Sequence, residues 1–357
     1  MNEGMEKIDL KLFTVSELRE WLIHNQSVRG LSEALISKQR AYAIVMNPNA
    51  KEDMPVISAL FVNDEVAAYT ACFPDVMERP KGMQIQWCTT LYVSPKFEGR
   101  GYAYVVLQQM IEVYGDAFLD LYAAEASQAN INYTGLKIDY IEQYIFSRKL
   151  IAVPRWVPKK LRGTYVRCAN RMLKDKVMSE LKKHSYTIAY LPQMDDATYA
   201  FIKEHSHEDM FLRAQDTFTW MLQHGFRQEG PLVNRVESTK EFPGCNSVYR
   251  LYGVQVLKEG KIVGFYLLRN STDDLAVKYL YYAKEHADDV FASIAEHMLV
   301  LDNKLFVTHD QSLAEYIANM SEVYKQESTE KISFSHPASF SYDSAKRIQG
   351  GDGDMFV

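Results

Sequence analysis

Two β-hairpins about 190 residues apart restrict this chain more than any other feature. The first lies in "MPVISALFVNDEVAAYTACF" (54–73), two β-rich runs around Asn63-Asp64. The second is "VYRLYGVQVLKEGKIVGFYLLRN" (248–270), turning at Glu259-Gly260. Apolar, β-branched and aromatic runs joined by such a two-residue turn predict antiparallel hairpins. The neighbours of each hairpin also match. "IDLKLF", "TVSELREWLIHN" and "LSEALISKQRAYAIV" precede the first as strand, helix and helix, and "SYTIAYL", "DDATYAFIKEH" and "DTFTWMLQHG" precede the second in the same order. After the hairpins come the strands "QIQWCTTLYV" and "LAVKYLYYA", each running into an amphipathic helix. The next strands are "AFLDLYAAEAS" and "KLFVTH", and the last are "KIDYIEQYIF" and "EKISFSH". A further short helix is expected around 128–136. The repetition is one of element order rather than identity, and it predicts an α/β fold with a mixed sheet, present twice in tandem.

Between the copies the composition changes. "PRWVPKKLRGTYVRCANRMLKDKVMSELKKH" (154–184) carries ten Lys and Arg from Arg155 to Lys183 against Asp175 and Glu180. The division expected is therefore a first domain over 1–150, a basic linker and helix over 151–185, and a second domain over 186–357. A basic run of this kind is either a solvated connecting helix or a patch for an anionic substrate or membrane surface.

Composition excludes several classes. A net charge of −6 argues against a nucleic-acid binder. No apolar run approaches the length of a membrane span, and "MNEGMEKIDLKLF" has acidic residues where a secretory signal would be apolar. Cys72, Cys88, Cys168 and Cys245 form no CxxC pair, so neither a zinc site nor a disulfide framework is expected, and a reducing cytoplasm fits. "HSHED" (205–209) reads as an exposed helix end rather than a metal site.

The stretch with chemical content is "YVSPKFEGRGYAYVVLQQM" (92–110), where a strand end passes through Gly99 and Gly101 into a helix. The first turn of a helix presents unpaired N–H groups and the positive end of its dipole, which attract phosphate. Glycines on either side of Arg100 leave that backbone free of β-carbons and able to take positive φ. Small Ala103 keeps the first turn open, and Arg100 can add a charge-assisted contact. A Walker loop is absent. A dinucleotide fingerprint would need a small residue where Tyr104 stands. The second copy has "YAKEHAD" (282–288) at the matching place, without glycine, so the copies are expected to share a fold and not a task.

Val93-Ser94-Pro95 followed by Glu98-Gly99-Arg100-Gly101-Tyr102-Ala103 resembles the acyl-CoA site of the GNAT superfamily of N-acyltransferases, V-x-P then R/Q-x-x-G-x-G/A, with Glu98 departing from the first position. The resemblance covers residues 8–150 in element order. It implies acetyl-CoA or another acyl-CoA as co-substrate, with the diphosphate on the amides of Glu98, Gly99, Arg100, Gly101, Tyr102 and Ala103. It implies backbone bonds from Leu91, Tyr92 and Val93 to the pantetheine arm. "YTGLKI" (133–138) resembles the family's Y-x-x-L-G-F, placing Tyr133 as the acid that protonates the leaving thiolate. The fourth strand has no carboxylate, so Glu125, or Asp75 and Glu78, are candidates for accepting the proton of the amine. Cys88 reads as a buried strand thiol rather than a nucleophile. The reaction implied is direct acyl transfer to a primary amine of a small molecule, sugar or amino-acid derivative. Its second domain would shape the acceptor pocket or a homodimer surface. The alternatives are a non-catalytic CoA sensor or interaction module, and a Fem-type aminoacyl transferase. The tail "IQGGDGDMFV" reads as a last strand with a glycine-rich turn, or as an acidic contact to the acceptor.

Overall fold

A computed structural model describes residues 6–23, 30–32, 35–121, 134–149, 153–224, 249–271, 274–320 and 323–353. The first half contains β1 (Ile8–Thr14), α1 (Val15–Ile23), α2 (Lys38–Val45), β2 (Pro55–Val62), β3 (Glu65–Arg79), β4 (Met83–Val93), α3 (Tyr102–Tyr114), β5 (Phe118–Leu121) and β6 (Lys137–Arg148). Helix α4 (Arg162–Leu181) connects it to the second half. There follow β7 (Thr187–Leu191), α5 (Asp196–His205), β8 (Leu212–Arg213), α6 (Gln215–His224), β9 (Tyr249–Lys258), β10 (Lys261–Ser271), β11 (Asp274–Tyr282), α7 (Ala287–Leu301), β12 (Leu305–Thr308), α8 (Gln311–Asn319) and β13 (Tyr324–His336). Both hairpin turns form as expected. Asn63 and Asp64 have φ of 52° and 66°, and Glu259 and Gly260 have 50° and 75°, the paired positive values of a type I′ turn. Helix starts follow side-chain chemistry: Ser37, Asp195 and Asp310 each accept from the backbone N–H three residues on.

The strands form one sheet in the order β1-β2-β3-β4-β5-β13-β6-β12-β11-β10-β9-β7, with β8 paired to β3. The two halves have exchanged their last strands. β13 lies beside β5 of the first half, with Phe334 opposite Leu121. β6 lies beside β12 of the second half, with Phe306 opposite Phe146. The exchanged strands pair with each other antiparallel along their length, so a pseudo-two-fold axis passes between them.

Alternation along the strands builds a core on each face. In β10, Phe265 and Leu267 enter one cluster while Tyr266 and Leu268 enter another. The first cluster gathers α1, α2, α5 and α6 from both halves, so the halves share a core. On the opposite face α3 covers the first half, and α4, α7 and α8 cover the second. Trp220 of α6 donates to the Ala43 carbonyl at 3.1 Å, and Trp87 of β4 meets Phe211 edge-on at 5.5 Å.

The shared face also holds buried charge. Arg213 Nε lies 2.9 Å from Asp75 Oδ2, and Trp87 Nε1 donates to the same oxygen at 3.1 Å. Asp75 therefore stands in strand β3 rather than in a loop. The strand continues to Arg79 because β8 pairs with it there. Burial pushes the Asp75 carboxyl up and Arg213 opposes the shift. Its lone pairs serve the junction between halves, which argues against it as the base. Glu78, near the end of β3, is exposed and paired with Lys203 at 3.2 Å. Asp352 is fully buried, accepting from Tyr279 Oη at 3.0 Å and from the Gln349 N–H at 2.9 Å.

Two outcomes follow. Phe334 is fully buried and packs on Phe211, Phe340 and Tyr342. Phe334→Ala will cost about 3–5 kcal/mol in urea unfolding, within a single transition shared by both halves. Burial also pushes Asp352 up to about 7, with Arg213 opposing. A raised folded value means the native state holds this proton more tightly. The stabilisation is complete below the unfolded value of about 3.9 and is lost as pH rises through the folded one. Thermal midpoints will therefore fall between pH 5 and pH 8 by an increment that Asp352→Asn removes.

Candidate functional site

The site begins with an irregularity in β4. Ala71 pairs with Thr90 and Cys72 with Cys88, leaving Thr89 as the extra residue of a β-bulge. Among the described residues β4 pairs with β5 at Gln86, Trp87 and Cys88. Beyond the bulge β4 has no further pair with β5 among the described residues, which end in β5 at Leu121. Its other edge remains paired to β3, Leu91 with Thr70, Tyr92 with Tyr69 and Val93 with Ala68.

The loop that leaves β4 is pinned before it reaches the helix. Ser94 N–H donates to the Ala67 carbonyl at 2.9 Å, and a single 3₁₀ turn, Pro95–Phe97, buries the Phe97 ring beneath α3. Glu98, Gly99, Arg100 and Gly101 then emerge exposed. Gly99 and Gly101 both have φ of +76°, where side-chain-bearing residues are strained. A β-carbon on either would meet nothing within 4 Å, so backbone conformation and not crowding requires glycine. Gly101 caps α3 without a side-chain hydrogen bond, and the first turn, Tyr102, Ala103 and Tyr104, contains no acidic residue. The amides predicted to form the cradle are thus gathered at one exposed helix start. The side chain of Arg100 is directed elsewhere: Nη1 lies 3.0 and 2.9 Å from the two carboxylate oxygens of Glu6, and its guanidinium rests over Phe97. An exposed charge finds the nearest carboxylate, which the linear motif cannot reveal.

The second half has the same architecture with its cleft filled. Leu267 pairs with Tyr279 and Leu268 with Val277, so Lys278 is the bulge residue corresponding to Thr89, and Leu280 corresponds to Leu91. The Leu280 N–H donates to Gln349 Oε1 at 3.3 Å, and Gln349 Nε2 donates to the Leu280 carbonyl at 3.2 Å. One carboxamide therefore takes up both backbone groups of the open strand edge. Lys278 Nζ donates to the Gly350 carbonyl at 3.1 Å. A β-carbon on Gly351 would lie 2.1 Å from the Tyr279 ring, so only glycine lets the tail come this close. Of the two readings of the tail, the last strand is not formed by its described residues, 348–353; an isolated bridge joins Arg347 before them to Asp209, and Gln349 fills the cleft. Arg347 binds Asp209 at 2.7 Å and Asp310 at 3.0 Å, which also buries the last residue of "HSHED". At the start of α7, Asp288 and Asp289 occupy the first turn, and Asp289 is bound by Lys258 at 2.6 Å and His184 at 3.1 Å. A helix start neutralised by its own carboxylates repels phosphate.

Of the other candidates, Tyr133 and Glu125 lie outside the described residues. Cys88 is buried in β4 as expected, against Thr70 Oγ1 at 3.4 Å. Among the described residues no group of His, Cys, Asp and Glu has the geometry of a metal site. One polar residue at the cleft escaped the motif search. Arg40, on the inner face of α2, is buried and donates through Nη1 to Thr90 Oγ1, directly after the bulge. The signal available was an arginine one turn before Ile44 on a face otherwise apolar.

No protein-family model and no curated protein sequence matches the chain. Solved structures do. A tandem GNAT protein from the clavulanic acid biosynthesis pathway is 10% identical, with a TM-score of 0.50 over 94% of this chain and 100% of that one. A candidate acetyltransferase from Pyrococcus horikoshii is 9% identical, with a TM-score of 0.50 over 98% and 95%. A GCN5-related glucosamine N-acetyltransferase region of a fungal multi-domain β-N-acetylglucosaminidase is 10% identical, with a TM-score of 0.52 over 93% of this chain and 38% of that one. Bulge and glycine-capped helix thus agree with the wider likeness: the chain has the fold of the GCN5-related N-acetyltransferases, twice in tandem.

Proposed function

We propose that the protein is an acyl-CoA-dependent N-acyltransferase that works through its first half alone. The observation that carries this reading is the contrast between the two clefts. In the second half a carboxamide from the tail pairs with Leu280, and acidic residues occupy the helix start. In the first half the helix start is uncharged and glycine-capped, and among the described residues Leu91–Val93 pair with β3 alone. The pantetheine arm of CoA is a chain of amides, and it would make at Leu91–Val93 the bonds that Gln349 makes at Leu280. Its diphosphate would lie on the N–H groups from Glu98 to Ala103. The thioester then falls beside the bulge, near Thr89 and Thr90. There the amine attacks the carbonyl, a β4 amide polarises the oxygen, the C–S bond breaks and Tyr133 protonates the thiolate. A phenol with a pKa of about 10 suits a thiolate of comparable basicity. Glu125 is the carboxylate we assign to deprotonating the ammonium form of the acceptor, directly or through water.

The acyl group we favour is acetyl, and the acceptor class a primary amine on a small sugar or amino-acid derivative. Titration calorimetry with acetyl-CoA will give one site per chain. Gly99→Val and Gly101→Val will each weaken binding at least about tenfold, since a side chain at this φ costs about 1–2 kcal/mol before it meets the ligand. Arg100→Ala will change affinity by less than about threefold, its charge being held in an exposed pair. No heat with acetyl-CoA would overturn the reading.

Thiol release from acetyl-CoA across a panel of amino sugars and amino acids tests the chemistry. An active acceptor is expected, and Tyr133→Phe will lower kcat about 10²-fold or more with little change in the acetyl-CoA KM. Binding without turnover across the panel would favour a CoA sensor instead.

A further inference from the structure

We propose that the segment from Arg155 to Lys176, comprising the approach to α4 and its first four turns, docks on an anionic lipid bilayer. Eight Lys and Arg against Asp175 give this segment +7 in a chain of net −6, leaving −13 for the remainder. Helix α4 is tied to the second half near its C-terminal end. Val177, Met178 and Leu181 join the core beneath α7, whereas in the preceding turns no residue is buried. What those turns present is apolar as well as basic. Trp156 is 77% exposed, Leu161 56% and Met172 72%. The Trp156 ring meets Tyr165 edge-on at 6.3 Å, and Met172 lies two turns along from Tyr165 on the same flank of the helix. Lys176 stands on the same flank and Arg162 on the adjoining one, both exposed, and Lys159 and Lys160 precede Leu161.

This combination selects the partner. A tryptophan, a leucine and a methionine held out in water beside cationic groups match the boundary between anionic headgroups and acyl chains. Nucleic acid would use the charges and leave Leu161 and Met172 without a role. A second copy of this chain meeting the patch across a two-fold axis would set +7 against +7. No helix among the described residues is long and apolar enough to cross a membrane, so the contact is peripheral.

Co-sedimentation with phosphatidylcholine vesicles, with and without phosphatidylglycerol, tests the assignment. The full chain is expected to bind the anionic vesicles at low salt, to release them as salt rises and to ignore the neutral ones. Replacing Lys159, Lys160, Arg162 and Lys176 together by Gln will weaken binding by several hundredfold, at about fivefold for each charge near the surface. The variant Trp156→Ser/Leu161→Ser/Met172→Ser will lose at least about tenfold. Thermal midpoints equal to that of the unaltered chain will show that both variants fold. The emission of the unaltered chain will shift to the blue on anionic vesicles, and Trp156→Phe will abolish the shift, since Trp87 and Trp220 are already buried and Trp21 packs half-buried against the shared core. The proposal falls if the unaltered chain ignores anionic vesicles. It falls equally if the Ser variant binds like the unaltered chain, or if a single-stranded oligonucleotide is bound more tightly than the vesicles.

Discussion

The antiparallel pairing of β6 with β13 is the interaction on which the rest of the molecule depends. Each strand belongs by sequence to one half and completes the sheet of the other, so neither half closes its own sheet. The pairing runs from Lys137 opposite His336 to Arg148 opposite Tyr324 and fuses two open sheets into one. An unpaired edge in the middle of the molecule would leave buried backbone groups without partners, a large cost in a dry interior. The shared apolar face beneath α1, α2, α5 and α6 adds a second reason for the halves to stay together.

Polar chemistry at the junction is compatible with this because its charges are paired. Asp75, Arg213, Trp87 and Asn49 form a connected group, and Asp209, Arg347, Gln349 and Asp310 form another. Buried ions of this kind contribute little net stability but penalise any arrangement that separates them. They fix how the tail lies, and the tail in turn determines that the second cleft is closed.

Much of the fold was legible because it rests on local rules. Hairpin turns at Asn63-Asp64 and Glu259-Gly260, helix caps at Ser37, Asp195 and Asp310, and period-two strands all declare themselves within a few residues. The strand exchange does not, since β6 and β13 read alike whichever sheet receives them. The backbone of the proposed cradle was legible for the same local reason: a glycine at positive φ at a helix start is visible in a short window. The destinations of Arg100, Asp75 and Arg347 depend on residues tens to hundreds of positions away, Glu6, Arg213 and Asp209. The filling of the second cleft by Gln349 was hidden too, because nothing near that residue says which strand edge it will meet.

The exchanged strands bear on how one copy came to differ from the other. Two identical chains assembled about a two-fold axis must change both of their clefts together. Joining them covalently breaks that obligation: a substitution such as Asp289 at one helix start leaves the other untouched. Yet the altered copy cannot be discarded, because it still lends β13 to its sibling. A half whose strand edge is taken up by its own tail and which is still indispensable to architecture is free to acquire a different occupation.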